Sequence, residues 1–401
     1  MTNLEIDFAG IHFKNPFLLA SAPPTMDARH VKRAAKLGWG GAVLKTVTHE
    51  PTVDPRTRLG FLRKDSQLIG MNNIELLSRK PLSTWTEEWI PEIKKESPDD
   101  FIIIASIMSG VESEGWTELA EIMTGTGVDA IELNVSCPHG APGKHMGAFV
   151  GQNPELVEVI TKGARKGTDL PLIVKLTPNV TDMIPIAEAA IKGGANALAA
   201  INTVESLIGI DVETATPYPV AYGNTPQEQK STYGGFCGPA VKPIGLRFVS
   251  QLARALPKIP LSGIGGIEDW HSSAEYLMVG ARTLQICTAV MWHGFGIIRD
   301  LINDLLKFME RKNYSSVDEM IGQALPKITT WEKLSKLPPL VAEISKEKCT
   351  GCKKCVIACA DGGYVAIQMR EGIALVKTEK CDGCGLCAVV CDFDAVEFVH
   401  T

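Results

Sequence analysis

The stretch "PLIVKLTPNVTDMIPIAEAAIKGGANALAAINT" (171–203) decides the fold. It opens with a short apolar, β-rich run, "PLIVKLT" (171–177). In "MIPIAEAAIKGGA" (183–195) apolar residues then recur three and four apart, as on one helix face, and a second β-rich run, "ALAAINT" (197–203), follows. The same strand–helix rhythm occupies the rest of the first three hundred residues. Further strand runs are "NPFLLAS" (15–21), "GAVLKT" (41–46), "FIIIASIM" (101–108), "AIELNVS" (130–136), "PLSGIGGI" (260–267) and "TLQICTA" (283–289), with helical segments such as "GLRFVSQLARALP" between them. Eight strands alternating with helices over roughly 250 residues predict an α/β fold of the (β/α)8 TIM-barrel type. A doubly wound sheet is the competing architecture, but no GxGxxG opens the first βα unit.

In such a barrel the chemistry gathers at the C-terminal ends of the strands. Polar residues and glycines stand there in register: Ser21, Lys45, Asn134, Ser136, Cys137, Lys175, Asn202, Thr203, Gly265 and Gly266. Strand ends are often polar for structural reasons alone, which accounts for one such residue more easily than for ten. The barrel is expected over residues 1–305 and a helical linker over 306–342, ending in "LPPL" (337–340). A small cysteine-rich domain is expected over 343–401.

The composition is that of a globular protein. The 401 residues are 45% hydrophobic and 21% charged, and the formal charge of −6 gives no electrostatic case for a nucleic-acid partner. The N-terminal stretch reads as no signal peptide, and no apolar run reaches the roughly 20 residues of a membrane span. A soluble, cytoplasmic protein is expected. Eight of the eleven cysteines lie within residues 349–391. Regular clustering of this kind points to metal rather than to disulfides.

"CTGCKKCVIAC" (349–359) and "CDGCGLCAVVC" (381–391) are two copies of C-x2-C-x2-C-x3-C, the run that binds [4Fe–4S] clusters. Three thiolates of each run reach one cube and the fourth ligates the other. Cys349, Cys352, Cys355 and Cys391 are therefore assigned to one cluster, and Cys381, Cys384, Cys387 and Cys359 to the second. Zinc also uses CxxC pairs, but the tandem four-cysteine runs favour iron–sulfur. The Pro that usually follows the fourth Cys is replaced by Ala360 and by Asp392.

Two clusters imply a path for single electrons, and a flavin is the cofactor that trades one electron with clusters and two with an organic molecule. "SGIGGI" (262–267) and "ICTAV" (286–290) stand where barrels of this type bind a phosphate, and Lys45 and Lys175 are placed to face a flavin ring.

Taken together, "LASAPPT", "LKT", "NNIELLS", "ELNVSCPHG", "VKLTPNVTD", "INTVESLIGI", "STYGG" and "GGIEDW" resemble the FMN half of dihydropyrimidine dehydrogenase, and the match extends through the cysteine-rich tail. The resemblance implies that Ala20, Ser21, Lys45, Asn134, Lys175, Gly238, Gly265, Gly266 and Thr288 contact FMN. It implies that Asn73, Glu75, Asn134, Ser136, Asn202 and Thr203 hold the pyrimidine. Amides suit a uracil edge, since each presents both an acceptor and a donor. The resemblance also makes Cys137 the general acid that protonates C5 while flavin N5 delivers hydride to C6. A thiol titrating near 8.5 can serve both directions near neutral pH. The plainer reading of Cys137 is a buried small hydrophobe, and that reading is kept for Cys237 and Cys287.

One loop departs from the family. "GAPGKHMG" (140–147) stands where mammalian members read close to "GMGERGMG", so Gly143 and Lys144 replace an acid and an arginine and His145 replaces a glycine. The change is either ordinary variation in a solvent-facing loop, or an altered substrate range with His145 relaying a proton to Cys137. The chain carries no dinucleotide fingerprint. The resemblance therefore assigns NADH oxidation to an FAD-containing partner subunit, in a homodimer within a heterotetramer. The implied activity is interconversion of uracil or thymine with their 5,6-dihydro forms. The rivals are a dihydroorotate dehydrogenase-like or other cyclic-amide oxidoreductase, and an electron carrier serving a partner's active site.

Overall fold

The computed structural model describes residues 2–136, 147–220 and 228–400. Contacts divide the chain into two compact units, Met1–Pro326 and Lys327–Thr401.

The first unit is built on a closed parallel barrel of β1 (Phe17–Leu19), β2 (Gly41–Val43), β3 (Ile102–Ile107), β4 (Ala130–Asn134), β5 (Leu172–Lys175), β6 (Ala197–Ala200), β7 (Leu261–Ile264) and β8 (Ala281–Ile286). Each strand pairs with its neighbours in chain order, and β8 closes on β1 through Leu284↔Phe17 and Ile286↔Leu19. Seven strands lie inside their predicted runs. The eighth starts at Ala281, and the end of its run forms the short helix Thr288–His293 instead.

Strands buried on both faces read as nearly unbroken apolar runs. Phe17, Leu18, Leu19, Ile104, Leu172 and Leu284 are all fully buried. The helices around them have explicit ends: Ala28–Leu37 starts at Asp27, whose carboxylate accepts from the backbone N–H of His30, and stops at Gly38 with φ +102°. The helix Ile298–Lys312 runs through the expected boundary at 305/306. Its Leu301, Leu305 and Met309 fall on one face at four-residue spacing and are buried in the barrel core, as are Val317 and Met320. Residues 306–326, expected in a linker, therefore pack with the barrel.

The sequence reading left one element out. A four-stranded antiparallel sheet orders Val204–Ser206, Gly234–Cys237, Gln67–Asn73 and Leu59–Lys64 side by side. It is made from the segments that follow β2 and β6. Its register, Asn73↔Gly235 and Val204↔Phe236, brings the "NNIEL" and "STYGG" motifs together.

In the second unit Leu340–Ile344 pairs antiparallel with Val396–His400, and Ile367–Arg370 with Ile373–Val376. Two short helices, Lys354–Asp361 and Leu386–Val389, follow the cysteine turns. Among the described residues no helix is long and apolar enough to cross a membrane.

Candidate active site

A cleft opens at the C-terminal ends of the barrel strands. All nine residues expected at the flavin line it: Ala20, Ser21, Lys45, Asn134, Lys175, Gly238, Gly265, Gly266 and Thr288. So do Asn73, Glu75, Asn202 and Thr203 of the substrate set. Ser136 lies just behind the wall, where its hydroxyl accepts from Asn202 Nδ2 at 2.7 Å and donates to the backbone oxygen of Lys175 at 3.0 Å. Cys137, Gly143, Lys144 and His145 are outside the described residues.

Each amide is fixed by hydrogen bonds within the protein. Asn134 Nδ2 donates to Thr46 Oγ1 at 3.0 Å, and its Oδ1 accepts from Asn202 Nδ2 at 3.2 Å. Thr46 Oγ1 in turn lies 3.0 Å from Ser21 Oγ and 2.8 Å from Ser106 Oγ. Asn73 Nδ2 donates to the Gly235 carbonyl at 3.0 Å across the antiparallel sheet. A network of this kind sets amide orientation before a ligand arrives, which lowers the ordering cost of binding.

Both lysines are ion-paired. Lys45 Nζ is 3.2 Å from Glu75 Oε2, while Glu75 Oε1 accepts from Arg58 Nε at 3.2 Å. Lys175 Nζ is 3.5 Å from Glu132 Oε1 and donates to Gln285 Oε1 at 3.2 Å. Gln285 Nε2 closes the ring by donating to Glu132 Oε2 at 2.7 Å. Glu75 thus reaches the cleft with each oxygen already engaged once, and each keeps a lone pair for a ligand N–H.

The glycines at the far end are required by geometry. Gly265 and Gly266 have φ +123° and +72°, and a Cβ on Gly266 would stand 2.8 Å from the Gly238 carbonyl oxygen. Gly238, at φ +97°, would press a Cβ against Gly70 and Trp292 at 3.2 Å. Three bare backbone segments meeting beside the start of the Lys242–Ala255 helix make a cradle that side chains would fill.

In the second unit the sulfurs gather in the two expected sets. Cys349, Cys352, Cys355 and Cys391 line one hollow; Cys359, Cys381, Cys384 and Cys387 line another. Backbone N–H groups of Ala366, Ala342 and Ala395 donate to Cys359, Cys381 and Cys391 at 3.3–3.5 Å. Asp392, where a proline is usual, pairs with Lys354. Among the described residues no three ligating side chains converge as they would round a single ion.

A family model described as "Dihydroorotate dehydrogenase" matches residues 3–309. The chain belongs to that family. A "4Fe-4S dicluster domain" matches residues 342–398. The "NAD-dependent dihydropyrimidine dehydrogenase subunit PreA" of Escherichia coli K12 is 39% identical over 375 residues, 92% of this chain and 88% of that protein. The chloroplastic "Dihydropyrimidine dehydrogenase (NADP(+))" of Arabidopsis thaliana is 37% identical over 88% and 84% of the two chains. The catalytic subunit of "Dihydroorotate dehydrogenase B (NAD(+))" from Pyrococcus abyssi is 39% identical over 80% of this chain and 99% of its own. The Eimeria tenella DHODH crystallised with ferulenol shares the barrel, with a TM-score of 0.63, 19% identity, and coverage of 80% and 88%.

This member of the dihydroorotate dehydrogenase family is thus an oxidoreductase of the dihydropyrimidine dehydrogenase type, and flavin and iron–sulfur are its cofactors. The glycine cradle and the flanking lysines fit a phosphate-bearing, electron-accepting ring, and the two cysteine hollows fit cubes larger than one ion. The sequence reading missed Thr46, Arg58, Phe236, Glu132 and Gln285. Glu132 had a visible signal, an acid inside the apolar run "AIELNVS". Cys237 and Cys287, read as packing residues, both border the cleft. Burial pushes the Cys237 thiol up to about 11, although a side-chain hydrogen bond with Thr288 opposes the shift; burial drives Cys287 up further still. Both therefore stay protonated at neutral pH.

Proposed function

We propose that the protein interconverts uracil or thymine with their 5,6-dihydro forms, with FMN as its flavin. The observation that carries this reading is three hydrogen-bonded amides, Asn73, Asn134 and Asn202, lining one cleft with Lys45 and Lys175. Amides matched to a cyclic ureide edge hold the ring flat, and Glu75 accepts one ring N–H. Bound in the cleft, FMN would supply hydride exchange at C6 and single-electron exchange with the clusters. Cys137, which follows Ser136 directly in the sequence, gives or takes the proton at C5. Ser136, held by Asn202 and the Lys175 carbonyl, fixes the backbone from which that loop departs. NADH electrons enter through a separate FAD-containing subunit, in keeping with the E. coli relative being named a subunit of an NAD-dependent enzyme. The assembly is a cytoplasmic heterotetramer.

A carboxylated pyrimidine such as orotate would need a cation to spare. Among the described lining residues the lysines are Lys45 and Lys175, each already facing a glutamate, which favours the uncharged ring. Anaerobic addition of dihydrouracil or dihydrothymine should bleach the flavin band near about 450 nm, and Cys137→Ala should abolish the bleaching. Bleaching by dihydroorotate alone would sink the proposal.

A further inference from the structure

Inside the barrel, at the wall of the cleft, Glu132, Gln285 and Lys175 close a three-membered ring from β4, β8 and β5. Glu132 is completely buried, and its Oε1 has no hydrogen-bond partner within reach; the Lys175 ammonium at 3.5 Å is its compensation. A carboxylate placed there carries a desolvation cost, and a hydrophobic residue of the same volume would fill the space without it. Packing therefore gives no reason for an acid at this position. Lys175 has three N–H donors; Gln285 takes one, and the ammonium faces the Glu132 carboxylate on one side and the cleft that it lines on the other.

We propose that Glu132, oriented by Gln285, is a positioning residue that sets how much positive charge Lys175 presents to the flavin. The inference rests on reading the cleft as the flavin site. A reduced flavin carries more negative charge than an oxidised one, so an uncompensated lysine beside it stabilises the reduced form. Glu132 withdraws part of that stabilisation and holds the flavin potential down. The reduced flavin is kept a strong hydride donor, and its electrons can pass to or from the clusters in either direction. Gln285 keeps the carboxylate on the lysine side by donating to Oε2, which leaves Oε1 aimed at Nζ.

The test is a redox titration of the purified holoenzyme against reference dyes, with the clusters monitored in the same spectra. Glu132→Gln keeps shape and the Gln285 contact but removes the charge. It should shift the flavin equilibrium toward reduction at least tenfold, about 30 mV for a two-electron couple, with the cluster potentials unchanged. Glu132→Asp keeps the charge but draws it away from Lys175 by one methylene, and should give a smaller rise of the same sign. This variant decides the matter if Glu132→Gln does not fold. An unchanged flavin potential in the variants, with stability or flavin occupancy alone reduced, would make the ring merely structural and overturn the inference. A wild-type protein that binds no flavin would overturn the reading of the cleft itself, and the inference with it.

Discussion

Gly266 is the residue at which backbone geometry and ligand binding meet. Its φ of +72° and the 2.8 Å approach of the Gly238 carbonyl leave no room for a Cβ. Gly266→Ala should therefore retain less than a tenth of the wild-type flavin after gel filtration, with the barrel still folded by circular dichroism. Tyr276 supports the same turn from behind. Its buried hydroxyl lies 2.7 Å from the Gly265 carbonyl and 3.2 Å from that of Ile264. Tyr276→Phe leaves those carbonyls short of a donor and should cost about 1–3 kcal/mol in urea unfolding. Cys237 gives a pH signature. Its folded-state value, about 11 against the usual 9, means the native state holds the proton longer than the unfolded chain. Its contribution to stability is complete below pH 9 and is lost as the pH rises through about 11. Cys237→Ala should flatten the alkaline fall in stability between those values.

At the scale of elements, the antiparallel sheet decides the shape of the cleft. Gly235 approaches Thr203 so closely that a Cβ would lie 2.1 Å from its Oγ1, and Gly234 meets Asn72 in the same way. The "YGG" glycines are thus what let this sheet lie against the end of β6. Gly70 on the neighbouring strand faces the Phe236 ring, with 2.3 Å left for a Cβ. Gly70→Ala must displace Phe236, which lines the cleft. We expect a loss of about 1–3 kcal/mol, the usual cost of overpacking, and a KM for the pyrimidine raised severalfold with flavin content unchanged. A change in flavin content with KM intact would show that the sheet shapes the cofactor end instead.

At the scale of the molecule, the two units differ in what holds them together. The barrel unit has a continuous core running from Leu4 to Met320. The buried core of the second unit is Ala342, Ile344, Ala366, Ile367, Ala374 and Ala395 with Cys359 and Cys387, too little apolar surface to fold a small domain without staples. Removing iron with a chelator under reducing conditions should therefore unfold residues 327–401 alone. Calorimetry of the holo protein should show two transitions, and of the iron-free protein only the barrel's. Survival of the Leu340–Ile344/Val396–His400 pairing in the iron-free state, read by amide exchange, would contradict this.

The barrel and the gathering of eight cysteines into two sets of four were legible in the sequence. Strand runs buried on both faces and ligands at fixed short spacings are local properties, legible within about ten residues. "PLIVKLT" becomes β5 and "AIELNVS" becomes β4 for that reason. Gly265, Gly266, Asn134 and Asn202 could be named because they close those same runs, whereas Gly238 and Asn73 came from the resemblance alone. The antiparallel sheet could not be read so directly: "NNIEL" meets "STYGG" only through the Asn73↔Gly235 register, across 162 residues of chain. The pairing of Lys45 with Glu75, and of Lys175 with Glu132 and Gln285, was equally hidden. Which charge compensates which across a closed barrel depends on strand tilt and register, and only the tertiary structure brings β4, β5 and β8 to one point.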